Sequence, residues 1–389
     1  MNATINDITV VGGGAAGWIT AAILDHAGYN ITLIESPTIP IIGVGESTLP
    51  FIRSVFERLG LKDEDWLPHC NGIIKHGNTK GGFKSEDDEL WDFSFWYDTD
   101  ILKTLDNPKE EINDYADDYA YHIAAEELPT ILKDACPDVK HIVKEIDEKP
   151  ECDLLIDCTG HARKFVEDKE WITSDKHILN SAIVNPWEYK NLQWTRNHTY
   201  SIGRSAGWQF YVSLENRVGS GYIYSDKYIS DEEAKEEYLE VMKDCVPLAK
   251  PRVIKWEPGY LKNPWSGDVV AIGMGALFID PLEANALAHI QTSAEMLIRC
   301  LERGYSNTVY NRMHRNLAQQ TSDLVLTYYA LSERTDSPFW NHFKKYTKEA
   351  EEKLEMKCKL KNSYDHYLWP PALWESIAIY FEKGLYKPK

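Results

Sequence analysis

Gly12-Gly13-Gly14-Ala15-Ala16-Gly17 is the strongest chemical signal in the chain, because it stands between the β-branched run Ile8-Thr9-Val10-Val11 and a small-residue run from Trp18 to Leu24. Gly12, Gly14 and Gly17 allow a tight turn and close backbone approach, and the helix that Ala15 and Ala16 open would point its N-terminus at a pyrophosphate. Glu35 follows 18 residues after Gly17. An acid at that distance, at the end of a second strand, suits a ribose hydroxyl. Two further elements extend the site: the loop Gly43-Val44-Gly45-Glu46-Ser47-Thr48 and a glycine turn at Thr159-Gly160. That extension favours FAD over NAD as the dinucleotide.

The elements that must position these residues follow from periodicity. Strand, glycine turn, helix and the strand Asn30 to Ile34 make a βαβ unit in the first 36 residues. A helix is expected from about Phe51 to Leu59, closed by Gly60, with Lys75 in the structure beyond it. Residues 84–119 are acidic and aromatic, a combination that suits a structured excursion better than a linker. Leu154-Leu155-Ile156 should return to the first sheet. Several β-rich stretches between about 178 and 270 read as inserted antiparallel strands, interrupted by a helix from about Asp231 to Lys243. A last strand at Asp268 to Ile272 precedes Asp280-Pro281-Leu282-Glu283, read as the opening of a long helix reaching about Leu301. The expected fold is α/β: a Rossmann-like FAD-binding box of the flavin-monooxygenase type over residues 1–305, with an inserted antiparallel sheet at about 178–270 and a mainly helical region at 306–389.

Composition excludes several classes. With 42 Lys and Arg against 61 Asp and Glu, the net charge of −19 repels nucleic acid and anionic membrane surfaces. No apolar run reaches the roughly 18 residues of a membrane span, and the N-terminus runs into a strand without an export signal. Seven scattered cysteines without a CxxC pair fit reduced thiols in a cytoplasmic setting and no zinc site. The 13 Trp, 22 Tyr and 11 Phe form an aromatic load that core, interface or substrate wall could absorb. Homo-oligomerisation is left open.

The segments GGGAAGW, IESPTIPIIGVGESTLP, HCNGIIK, GWQFYVSLENRVGSGYIYS, IGMGALFIDPLEANAL and YYALSERTDSPFW occur in the order seen in the flavin-dependent tryptophan halogenases, which the chain resembles over most of its length. The resemblance implies a two-component enzyme: a separate flavin reductase supplies FADH2, O2 is co-substrate, and halide is converted to hypohalous acid that reaches a small aromatic substrate through a lysine. Lys75 occupies that lysine position, with a solvated surface lysine as its bland alternative and Lys80 as its nearest rival. Glu283 matches the family's essential glutamate, which would orient the oxidant or accept the arene proton; a glutamate favoured by a helix dipole is the plainer account. Halide is expected at the backbone N–H groups of Asn285 and Ala286. Ser36, Ile39, Glu46, Ser47, Met274 and Leu287 fall at flavin-contact positions of the family.

Three departures qualify this. The family's Ser-Thr-Gly after the glutamate is Ala284-Asn285-Ala286, and Ala286 is expected to restrict a backbone that glycine leaves free. The GWxWxIP hallmark aligns with Gly207 to Ser213, where Phe210, Val212 and Ser213 replace Trp, Ile and Pro. The chain is also shorter than typical members, so its substrate side should be more open, and bromide or iodide should outcompete chloride. Trp340, Trp369 and Trp374 read as core or rim aromatics. The competing function is a flavin monooxygenase that hydroxylates an aromatic substrate.

Overall fold

A computed structural model of the chain describes residues 5–40, 43, 45–95, 119–190, 197–359 and 369–383. The chain forms two compact units, the first from residues 1–72, 123–178 and 255–322, the second from 73–122, 179–254 and 323–389. This interleaving divides the chain differently from a linear break at residue 305. Much of the acidic 84–119 stretch lies outside the described residues.

The first unit is built on a six-stranded sheet ordered Trp265–Ser266, Val269–Ala271, Leu154–Asp157, Asp7–Val11, Asn30–Glu35, Lys140–Val143. Asp7–Val11 pairs in parallel with both Asn30–Glu35 and Leu154–Asp157, and Val269–Ala271 continues in parallel, so the expected return to one sheet is found. Strands covered on both faces read as unbroken apolar runs, as Ile8, Val10, Leu154, Leu155 and Ile156 do at 0–1% exposure. The helix Ala15–His26 leaves the glycine turn and buries Gly17 to Leu24. A short 3-10 turn at Pro50–Ile52 and the helix Arg53–Arg58 stand where one helix was expected. Among the described residues no helix is long and apolar enough to cross a membrane.

The second unit contains a seven-stranded sheet in which Ser181–Trp187, Val218–Tyr224, Gly207–Ser213 and His198–Arg204 pair antiparallel in that order. The inserted antiparallel strands are therefore present. Beyond them, His198–Arg204 pairs in parallel with Gly77–Gly81. The helix Asp231–Val241 starts at a capping box in which Ser230 accepts from the Glu233 N–H at 3.2 Å and the Ser230 N–H donates to the Glu233 carboxylate at 3.0 Å. It packs Tyr238 into a cluster with Trp187, Tyr200, Tyr211, Tyr222 and Tyr224. The aromatic load is largely core: Trp18, Trp66, Trp187, Trp340, Trp369 and Trp374 are buried, and Trp91 is the exposed tryptophan among those described. All seven cysteines are free.

Candidate active site

Gly12 has φ +124°, and a Cβ there would strike the Cys158 carbonyl. A Cβ on Gly17 would overlap the Gly12 carbonyl, whereas one on Gly14 would meet nothing within 4 Å. The turn is thus closed by contacts within the protein and open at Gly14, the uncapped N-terminal residue of the Ala15–His26 helix. Helix N–H groups with no side-chain cap and open space in front of them form a cradle that fits a pyrophosphate. Glu35 receives a 2.8 Å hydrogen bond from His141 Nε2, and its side chain lies where a Cβ on Gly13 would sit. The glycine turn Thr159-Gly160 is held by Asp157, whose carboxylate accepts from Thr159 N–H at 3.0 Å, Thr159 hydroxyl at 2.6 Å and Phe165 N–H at 2.8 Å. Gly273 has φ +86°, and a Cβ there would come within 2.9 Å of Ala16 Cβ. These residues fit the dinucleotide that the sequence implies.

Of the other expected flavin-contact residues, Ser36 donates from its hydroxyl to Glu145 at 2.6 Å, Ile39 and Met274 are exposed, and Leu287 is buried in the first turn of the helix Asn285–Glu302. Glu46 and Ser47 form a two-residue strand. Burial, reinforced by the carboxylate of Glu126, pushes Glu46 up to about 7, so it shares the ordinary pH range between its two forms.

Glu283 differs from its expected setting. The helix begins at Asn285, so Glu283 precedes it, and Glu283 and Ala284 both adopt left-handed backbone, with φ +68° and +54°. The cause is local. Asp280 accepts from the Leu282 N–H at 2.9 Å through its side chain, and the Asn285 amide donates back to the carbonyls of Asp280 at 2.7 Å and Leu282 at 2.9 Å. These bonds hold the loop that precedes the helix. Ala286 lies in regular helix, and the left-handed backbone falls before it, at Glu283 and Ala284. The Asn285 side chain is committed to the loop. Anion binding here would use the first-turn backbone N–H groups.

The second unit places Lys75 at the end of the strand Ile73–Lys75, paired antiparallel with Ala120–Ile123. Lys75 is fully buried, with Nζ 5.0 Å from the centre of the Phe95 ring. It is no solvated surface lysine. Lys80 is buried as well, its Nζ 4.7 Å from the Tyr328 ring centre and 5.6 Å from that of Phe93, in a cation–π setting inside the core. The strand Gly207–Ser213 carries the divergent hallmark, with Trp208, Val212 and Ser213 buried. His122, overlooked in the sequence, is fully buried in the partner strand of Lys75; Nδ1 lies 3.0 Å from the Ser213 carbonyl and Nε2 2.7 Å from the Thr199 hydroxyl. A lone polar residue in the apolar run Ala120-Tyr121-His122-Ile123 was its only signal. Lys75 and His122 thus belong to the second unit, while the glycine cradle, Glu283, Asn285 and Ala286 belong to the first.

The family model described as tryptophan halogenase matches residues 7–104 and 108–383. Tryptophan 6-halogenase ThaL of Streptomyces albogriseolus is 25% identical over 94% of this chain and 82% of its own. Tryptophan 7-halogenase RebH of Lentzea aerocolonigenes is 24% identical over 87% of this chain and 79% of its own. Among solved structures, tryptophan halogenase from Shewanella frigidimarina superposes with TM-score 0.84 at 24% identity, covering 97% of this chain and 89% of that one. BrvH, a flavin-dependent halogenase from Brevundimonas sp. BAL3, gives 0.82 at 24% identity, covering 97% and 90%. At these identities the structural likeness speaks for the fold.

Proposed function

This chain belongs to the tryptophan halogenase family of flavin-dependent oxidoreductases, and from that premise we propose that it halogenates an electron-rich aromatic carbon with hypohalous acid delivered through Lys75. The observation that carries the reading is the burial of Lys75. Enclosing a lysine side chain is costly and is kept where the amine is used or firmly held. Gly12 to Gly17, Glu35 and the neighbouring loops would hold FAD, whose reduced form, supplied by a separate reductase, would furnish the electrons for converting O2 and halide to hypohalous acid and water. At Nζ of Lys75 an N–X bond then forms as the X–O bond breaks, and water leaves with a nitrogen proton. The arene takes the halogen from Nζ. Its ring proton is accepted by a carboxylate, the role proposed for Glu283, and the nitrogen regains from solvent the proton it gave up to water.

Halide waits at the start of the Asn285–Glu302 helix, on the first-turn N–H groups. The Asn285 amide is spent on two carbonyls, so the anion must be dehydrated by backbone donors alone. Bromide and iodide shed water more readily than chloride, and we place them ahead of it. The chain's small size, compared with its relatives, argues for a permissive arene site.

The test incubates the protein with FAD, a reductase, O2 and equimolar chloride, bromide and iodide over a mixed arene panel, with catalase present, and reads products by mass spectrometry. Halogen mass shifts led by bromide or iodide are expected. Hydroxylated products instead would transfer the chain to the monooxygenase reading, and chlorination confined to tryptophan would overturn the halide and substrate preferences. Lys75→Ala is expected to lose product on the order of 10²-fold with flavin binding intact, and Glu283→Gln to lose a comparable factor. Halogenation at the wild-type rate by either variant removes that residue from the mechanism.

A further inference from the structure

We propose that His122 is a positioning residue for Lys75, an uncharged imidazole in its Nδ1–H tautomer that ties the strand beside the lysine to the hallmark strand and so fixes where the amine stands. The inference rests on the reading of Lys75 as the halogen carrier. Its geometry is independent of that reading.

The register places Ile73 opposite His122 and Lys75 opposite Ala120. Residues two apart on a strand share a face, so Lys75 and His122 are diagonal neighbours on one face of the ribbon, about 7–8 Å apart at the backbone and within reach of a long side chain. Both are fully buried. Phe95 stands against Nζ at 5.0 Å. The lysine strand contributes three paired residues, after which the chain enters Gly77–Gly81, paired with the strand that carries Thr199.

The hydrogen bonds assign the tautomer. A carbonyl oxygen only accepts, so Nδ1 must be the protonated nitrogen donating to the Ser213 carbonyl at 3.0 Å. In a neutral ring Nε2 then carries a lone pair, and the Thr199 hydroxyl at 2.7 Å donates to it. Ser213 and Thr199 lie on neighbouring strands, Gly207–Ser213 and His198–Arg204, that pair with each other. One ring therefore pins the lysine ribbon to two strands of the large sheet. The groups facing it keep it uncharged: burial acts most strongly, then the positive charge of Lys75 on the paired strand, with His198 on the Thr199 strand adding to it, while the bond to Ser213 works the other way. His198 is itself 3.6 Å from the Asp92 carboxylate. The outcome is a site in which the ring beside Lys75 adds no second positive charge when Nζ carries a proton or a positive halogen. The ring makes and breaks no bond in the halogen transfer.

Two measurements on the full chain test this. In 15N NMR of histidine-labelled protein, with His122→Asn used for assignment, His122 should show one protonated and one bare ring nitrogen between about pH 6 and 8, where a free imidazole titrates. An imidazolium, or the Nε2–H tautomer, overturns the proposal. In turnover, product formed per FADH2 oxidised should fall about tenfold or more in His122→Leu, with hypohalous acid rising in a scavenger assay, because displacement of a reacting group by about 1 Å costs factors of that order or larger. His122→Asn, whose amide can replace the Nδ1–H donor, should stay within about threefold of wild type. If the Leu variant does not fold, Thr199→Val, which removes only the hydroxyl donor, should lose coupling several-fold. Wild-type coupling in the folded Leu variant, or in Thr199→Val where it substitutes, overturns the positioning role. Lys75→Ala separates the two ideas. If that variant halogenates at the wild-type rate, the functional reading fails; if it loses product as expected while the His122 series stays fully coupled, only this inference fails.

Discussion

Glu283 and Ala284 hold left-handed backbone side by side, at φ +68° and +54°. For an L residue that conformation costs roughly 1–2 kcal/mol. Ala284→Gly removes the cost in the folded state but adds about 0.4–1 kcal/mol of unfolded-chain entropy. Relief is the larger of the two, so the variant should gain about 0.5–1 kcal/mol in urea denaturation; a loss of stability would show that Ala284 Cβ contacts outweigh the strain. The same loop explains a misreading. Asp280-Pro281-Leu282-Glu283 has the look of a helix start, with Asp at the cap and Pro at the first position. In the structure Asp280 accepts from Leu282 N–H, two residues on, and Asn285 draws two carbonyls inward, so the helix opens later. Side-chain hydrogen bonds to local backbone compete with helix, and spacing alone does not reveal the winner.

The first helix depends on how closely its own turn packs. Because a Cβ at Gly17 would overlap the Gly12 carbonyl, Gly17→Ala must push the helix off the turn. Loss of flavin binding in fluorescence titration is expected, with several degrees taken from the melting temperature; unimpaired binding would mean that the helix shifts at no cost. This element was legible because every signal it uses is local: a β-branched run, glycines at fixed offsets, a small-residue helix and Glu35. The antiparallel strands between Ser181 and Tyr224 were legible for the same reason. The lysine ribbon was not. Ile73–Lys75 is three residues long, and its partner Ala120–Ile123 lies beyond the acidic stretch, so neither length nor alternation marks it. Parallel pairing of His198–Arg204 with Gly77–Gly81 joins segments more than a hundred residues apart, and no local pattern encodes such a junction.

At the scale of the whole molecule, buried histidines set the response to acid. Burial holds His289 down to about 3 and His314 to about 4, and His177 is likewise lowered to about 4. His289 lies 2.9 Å from the Thr321 hydroxyl and His177 2.7 Å from that of Ser322. The unfolded chain takes up protons at these positions near the ordinary histidine value of about 6.5, while the fold refuses them until the pH is far lower. Stability should therefore fall as pH drops from about 6.5 toward 4, by up to roughly 1.4 kcal/mol per pH unit for each fully buried ring. Glu46 works in the opposite sense, since its raised value, about 7 against 4.5, gives stability that is present at low pH and lost as pH rises through 7. These three rings, with His122 lowered in the same sense, outweigh one carboxyl. Urea midpoints measured from pH 7 to pH 5 should fall, and His289→Gln should flatten the slope; an unchanged slope in that variant would remove His289 from the effect.

On the function proposed above, in which hypohalous acid is made, the burial of the tryptophans has a further meaning. Each indole is itself an electron-rich arene, so the core would also serve as a shield against self-inflicted damage. Trp91, at 38% exposure, stands outside that shield. When Lys75→Ala leaves the oxidant uncaptured, peptide mapping should find halogen on Trp91 ahead of Trp187, Trp340 and Trp374, and an even distribution over buried and exposed rings would show that burial offers no such protection.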